Sequence, residues 1–177
     1  DEGTDVPLPP VGVMIEIPAA VYQVRELARQ VDFLSVGSND LTQYLLAVDR
    51  NNPRVADLYD FLHPAVLQAL RLVVAGAHAE GKPVSICGEM AGDPAAAVLL
   101  MAMGFDGLSM NATNLPKVKW LLRQISMGKA QELLSQVMSI DNPQVIHSTL
   151  QLALRNLGLG RMINPALDIQ ACYLLPN

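Results

Sequence analysis

A chain of 177 residues can bury a real core, and 51% hydrophobic against 16% charged residues excludes a disordered chain. The net charge of −5 argues against non-specific nucleic-acid binding, which needs a basic face. No basic segment leads into an apolar one at the start, and no apolar run is long enough to span a bilayer, so no signal peptide or membrane partner is read and a cytoplasmic setting is expected.

In chain order, Asp1 to Pro10 is acidic and then Pro-rich, opens without Met, and is expected to be a leader cut from something longer. Val11 to Ile15 reads as a buried strand, short and rich in β-branched residues. Pro18 then starts a helix from Ala19 to about Arg29, as Pro does at a first helical position. Phe33 to Val36 predicts a second strand, and Asp40 to Val48 a helix. Asn51-Asn52-Pro53 is a breaker. His63-Pro64 opens a longer helix stopped by Gly81. Val84 to Cys87 is the third strand. Asp93-Pro94 caps a helix that ends at Gly104. Gly107 to Met110 is the fourth strand. Helices follow at Leu115 to Ile125, Lys129 to Met138 and Pro143 to Asn156, and the tail from 158 to 177 has no assigned structure.

Four βα units in succession imply an α/β fold with parallel strands and both faces covered. The first three strands end on chemically loaded residues: Glu16, then Asn39-Asp40, then Cys87-Gly88-Glu89. Functional groups at the C-terminal ends of successive strands mark a (β/α)₈ barrel. The expectation is half of such a barrel over residues 11–125, with C-terminal helices over 126–157. The two cysteines, Cys87 and Cys172, form no CxxC unit, and a disulfide between them is not needed.

The densest stretch is Asp32 to Arg50, DFLSVGSNDLTQYLLAVDR. An acid, an amide and a cation follow one strand end, as a site for Mg²⁺ and a phosphorylated acid would need. Each residue also has a plainer reading. Glu16, at the end of an apolar strand, needs a partner, and that partner is either an Arg or a metal. Asp40 can cap a helix beginning at Leu41. Arg50 alone reads as a solvated cation, and Cys87 alone as a small core residue. Glu89 can orient the thiol or its loop. The Met residues, including Met101, Met103 and Met110, fall at core-like positions. His63, His78 and His147 read as structural or solvated.

These residues resemble the phosphoenolpyruvate-binding barrel of Enzyme I of the phosphotransferase system, a barrel shared with pyruvate phosphate dikinase and phosphoenolpyruvate synthase. The stretch DFLSVGSNDLTQYLLAVDR is similar to the family signature, a strand followed by S-x-G-[ST]-N-D-L-x-Q and a later Arg. GVMIEIPAA resembles the strand with the first metal-binding Glu, ICGEMAGD the segment with the catalytic Cys, and GLSMN the last barrel strand. The resemblance runs from about Val11 to Arg123. VDRNNPRVADLYDFLHPAVL looks most like the nitrogen-type Enzyme I, whose parent protein usually begins with a GAF sensor domain.

The resemblance implies that Glu16 and Asp40 bind Mg²⁺, that Asn39, Asp40 and Arg50 bind phosphoenolpyruvate, and that Cys87 protonates the enolate carbon as pyruvate forms. A guanidinium suits a phosphate because it donates two parallel hydrogen bonds. A thiol, mostly protonated at neutral pH, suits an acid. The phosphoryl group would pass to a histidine on another domain, since none of the three histidines lies in the family's Thr-Ser-His context, and then to a histidine phosphocarrier protein of the HPr type or its nitrogen-type paralogue. The parent protein is expected to be a homodimer. Two other readings stay open: an ATP-dependent relative (the dikinase or the synthase), and a non-catalytic module that senses phosphoenolpyruvate or pyruvate.

Overall fold

The computed structural model describes residues 7–160. Four short strands lie side by side: β1 (Gly12–Ile15), β2 (Phe33–Gly37), β3 (Val84–Cys87) and β4 (Gly107–Ser109). They form one parallel sheet in the order β1-β2-β3-β4. Chain order and spatial order agree, as in the wall of a (β/α)₈ barrel, whereas a doubly wound sheet reverses direction at a switch point. The α/β class and the βα succession read from the sequence are therefore those of the structure.

The connections between strands are helical. After β1 come α1 (Pro18–Tyr22) and α2 (Val24–Ala28). After β2 come α3 (Ser38–Leu46), a 3-10 turn (Ala56–Leu58) and α4 (Pro64–Ala79). After β3 come α5 (Glu89–Gly92) and α6 (Pro94–Met103). After β4 follow α7 (Leu115–Leu122), α8 (Met127–Val137) and α9 (Pro143–Asn156).

Local chemistry sets several of these ends. His63 Nδ1 accepts the Ala65 N–H at 3.1 Å and Asp93 Oδ1 the Ala96 N–H at 2.8 Å, each just before a helix-starting Pro. Asn142 Oδ1 accepts from the Gln144 and Val145 N–H groups at the start of α9. Gly104 closes α6 at φ 97°, a left-handed conformation that suits glycine.

One face of the sheet is covered. Ile15, Leu34, Val36, Val84 and Ile86 are fully buried and share a continuous core with Val73 and Leu70 of α4 and Leu99 of α6. The core runs on through α8 and α9: α8 packs on α6, and Leu133, Val137, Ile146, Leu150 and Leu154 join it. Among the described residues no helix is long and apolar enough to cross a membrane.

Three expectations are corrected. Burial alternates along β2 and β3, so among the described residues only one sheet face is covered by helices. The strand at Gly12–Ile15 is not buried along its length, since Met14 is 49% exposed. The helix expected from Ala19 to Arg29 breaks at Gln23 into α1 and α2. Residues 161–177, with Cys172 and most of the unassigned tail, lie outside the described residues.

Candidate functional site

Strand register gathers the candidate residues at one end of the sheet. Gly37, at the end of β2, pairs with Cys87 at the end of β3, and Cys87 with Ser109 at the end of β4. Glu16 immediately follows β1, beside them. Glu16 lies over Gly37: a Cβ at Gly37 would stand 2.6 Å from Glu16 Oε1, so the glycine makes the space that the carboxylate occupies. Among the described residues Glu16 has no ion pair.

β2 runs directly into α3. Gly37 is the residue before the helix and supplies no side-chain cap. Asp40 thus lies inside the first turn of α3 rather than capping a helix at Leu41, a correction to that reading. An acid there is favoured by the helix dipole, and the free N–H groups of the same turn favour an anion. Asn39 and Asp40 are half-buried.

The chain after α3 brings Arg50 back. Its backbone N–H donates to Gln43 Oε1 at 3.2 Å. Its Nη2 lies 3.5 Å from Asp40 Oδ1, with side chains 32% and 40% exposed. The pair is loose and wet enough to rearrange around a ligand. Nη1 is buried and makes no hydrogen bond among the described residues. Beside it the Tyr59 hydroxyl donates to the Asn39 carbonyl at 3.4 Å. Burial pushes the Tyr59 phenol up, against the opposing pull of neighbouring Thr42 and Arg50.

β3 brings the thiol. The Cys87 thiol points toward the Val36 carbonyl at 3.5 Å. Ser38 Oγ donates to the Cys87 carbonyl at 2.6 Å, and the Glu89 N–H donates to Asn39 Oδ1 at 3.1 Å. Asn39, Cys87 and Glu89 share a cleft of about 400 Å³ with Ser109, Met110 and Asn111. Met110 therefore faces a cleft, which corrects its reading as a core residue.

The structure brings Asn39 to Cys87 and Asp40 to Arg50, and sets Glu16 beside Gly37 at the same sheet end. His78 and His147 pair elsewhere, with Asp106 at 3.0 Å and Asp60 at 3.1 Å. Sequence reasoning missed Ser38, Tyr59, Ser109 and Asn111. Ser38 stood inside the quoted motif, but its partner, the Cys87 carbonyl, is 49 residues away. Tyr59 lies in irregular chain that carries no period.

Among the described residues no three His, Cys, Asp or Glu side chains gather as a metal cage. Mg²⁺ does not need one, because it takes one or two carboxylates and fills its other positions with substrate oxygens and water. Glu16, cradled over Gly37, and Asp40, in the first turn of α3, are carboxylates at this sheet end of the type such an ion takes.

The chain is similar to known proteins. The family described as PEP-utilising enzyme, PEP-binding domain, matches residues 4–127. A protein of Escherichia coli K12 named phosphoenolpyruvate-dependent phosphotransferase system is 41% identical over 165 residues, 93% of this chain and 22% of its own length. The phosphoenolpyruvate-protein phosphotransferase of Haemophilus influenzae is 48% identical over 123 residues, 70% of this chain and 21% of its own. Multiphosphoryl transfer protein 1 of Escherichia coli K12 is 44% identical over 140 residues, 79% of this chain and 17% of its own. The chain spans about a fifth of the length of these relatives. With that match over most of its length, the chain belongs to the PEP-binding domain family of PEP-utilising enzymes.

Proposed function

We propose that this chain is the C-terminal half of the substrate barrel of a phosphoenolpyruvate-protein phosphotransferase. The observation that carries the reading is the convergence of Glu16, Asn39, Asp40, Arg50 and Cys87 at one end of a sequentially ordered parallel sheet. Asn39 and Arg50 bind the phosphate of phosphoenolpyruvate, and Asp40 keeps the guanidinium aimed. Glu16 and Asp40 would hold Mg²⁺, which when bound neutralises charge on the transferring phosphoryl group.

The bond between phosphorus and the enol oxygen breaks as a histidine nitrogen on another domain bonds to phosphorus. The enolate left behind takes a proton at its terminal carbon from the Cys87 thiol, giving pyruvate and a thiolate that solvent reprotonates. The histidine then passes the phosphoryl group to a small phosphocarrier protein. The relatives' printed names support this class of activity. The nitrogen-type assignment, with its paralogue of the HPr carrier, is supported by VDRNNPRVADLYDFLHPAVL. A homodimeric, cytoplasmic parent protein completes the proposal.

The test uses the intact protein that carries this chain. Incubated with labelled phosphoenolpyruvate and Mg²⁺ but no nucleotide, it should acquire acid-labile label and release pyruvate. Labelling that needs ATP would move the chain to the dikinase or synthase group. No label under either condition would sink the catalytic reading and leave a sensing module.

A further inference from the structure

Two strand ends that are far apart in sequence are fastened to each other by the side chains of Ser38 and Asn39, and the proposed reaction assigns Ser38 no part. Ser38 is 1% exposed, and its hydroxyl donates to the Cys87 carbonyl at 2.6 Å. One residue on, Asn39 Oδ1 accepts the Glu89 N–H at 3.1 Å. Between these two bonds lies Gly88, at φ 106°. A Cβ there would collide with Ser38 Oγ and stand 2.8 Å from Asn39 Oδ1. The first turn of α3 and the loop after β3 thus close on each other with no room for a side chain.

We propose that Ser38, with Gly88, is a positioning residue. It holds the Cys87 thiol in register with the phosphate-binding Asn39, so that the proton donor and the phosphate ligand form one rigid unit. The inference rests on the reading of Cys87 and Asn39 above. It also fixes the sense of the Asn39 amide. With Oδ1 occupied by the Glu89 N–H, the NH₂ end is left free as a donor, which is what an anionic phosphate oxygen requires. A shared staple matters because a small misplacement of a reacting group costs rate while leaving substrate binding largely intact.

The test replaces Ser38 in the intact protein and reads two quantities. The first is the alkylation rate of Cys87 by iodoacetamide, followed on the peptide that contains it. The second is the kcat and KM of pyruvate formation. Ser38→Ala should speed alkylation several-fold and lower kcat roughly tenfold with KM nearly unchanged. Ser38→Thr, which keeps the hydroxyl, should restore both and so exclude simple misfolding. An alkylation rate in Ser38→Ala equal to that of the parent would overturn the proposal, whatever kcat does. Faster alkylation with unchanged turnover would support the staple and remove Cys87 from the chemistry, so the two readings fail separately.

Discussion

Asp40 has two partners to satisfy at once, and that makes its replacement informative. It faces Arg50 across 3.5 Å, and in the proposed function it is one of the two carboxylates that would hold Mg²⁺. Asp40→Asn keeps the shape and removes the charge. The expected outcome is a rise of about tenfold or more in the Mg²⁺ concentration needed for half-maximal turnover, since second partners of a metal site cost 10- to 100-fold and a ligand no less. A Mg²⁺ titration of the labelling reaction checks it, and an unchanged midpoint would take Asp40 out of the metal site. Cys87 makes the opposite prediction. Cys87→Ala should leave phosphoenolpyruvate affinity within about twofold while turnover falls on the order of 100-fold or more, the size of a general-acid contribution. Calorimetry and a coupled pyruvate assay separate the two quantities. Unchanged turnover would end the thiol's role.

At the scale of elements, ends and junctions decide what holds. Asp93 caps α6, whose buried Ala96, Val98, Leu99 and Leu100 lie in the core. Asp93→Ala should destabilise the domain by about 1 kcal/mol, visible as a lower melting temperature in the intact protein. Asp106 joins β4 to β3: its Oδ2 accepts the Val84 N–H at 2.8 Å and meets His78 Nε2 at 3.0 Å. The His78 hydrogen bond, and after it the Val84 N–H, hold the Asp106 carboxyl below its usual value. A folded pKa below the unfolded one gives stability that is present above the ordinary carboxylate range, near pH 4, and is lost as pH falls through the folded value. The melting difference between the parent and Asp106→Asn should therefore be largest near neutrality and shrink on acidification; a difference that grows with acid would contradict it.

The same ends show what a sequence reveals. α4, α6 and α9 were legible because a proline opens each, at Pro64, Pro94 and Pro143. α3 begins earlier than expected because Gly37, its leading residue, offers no side-chain cap. The break at Gln23 has no Gly or Pro to mark it, and α5, four residues long, is too short to show a period. In the site, the strand-end residues stood out by their type. Ser38 and Tyr59 did not, because their partners come from tertiary folding rather than from neighbours in sequence.

Across the whole molecule, the sheet is finished on one side only. The helix-covered face holds Ile15, Leu34, Val36, Val84 and Ile86 at 0% exposure, while Met14 and Phe33, on the opposite face, are 49% and 39% exposed. On the uncovered face of the inner strands lie small polar groups, with Ser85 Oγ donating to Ser35 Oγ at 3.3 Å. Among the described residues β1 and β4 are the two edge strands of the sheet. Four further βα units would cover this face and satisfy both edges, and they would bring the remaining ligands of the substrate. The 177-residue chain alone should consequently associate at micromolar concentration and bind phosphoenolpyruvate far more weakly than the intact protein. It should take no phosphoryl label, because the proposed reaction has its accepting histidine on another domain. Sedimentation, calorimetry and labelled phosphoenolpyruvate applied to the same preparation test all three. Co-expression with the segment that precedes it in the intact protein should restore a single species that binds phosphoenolpyruvate. A monodisperse isolated chain with full affinity would mean that Glu16, Asn39, Asp40 and Arg50 suffice as a site, and that the half-barrel reading of this sheet is wrong.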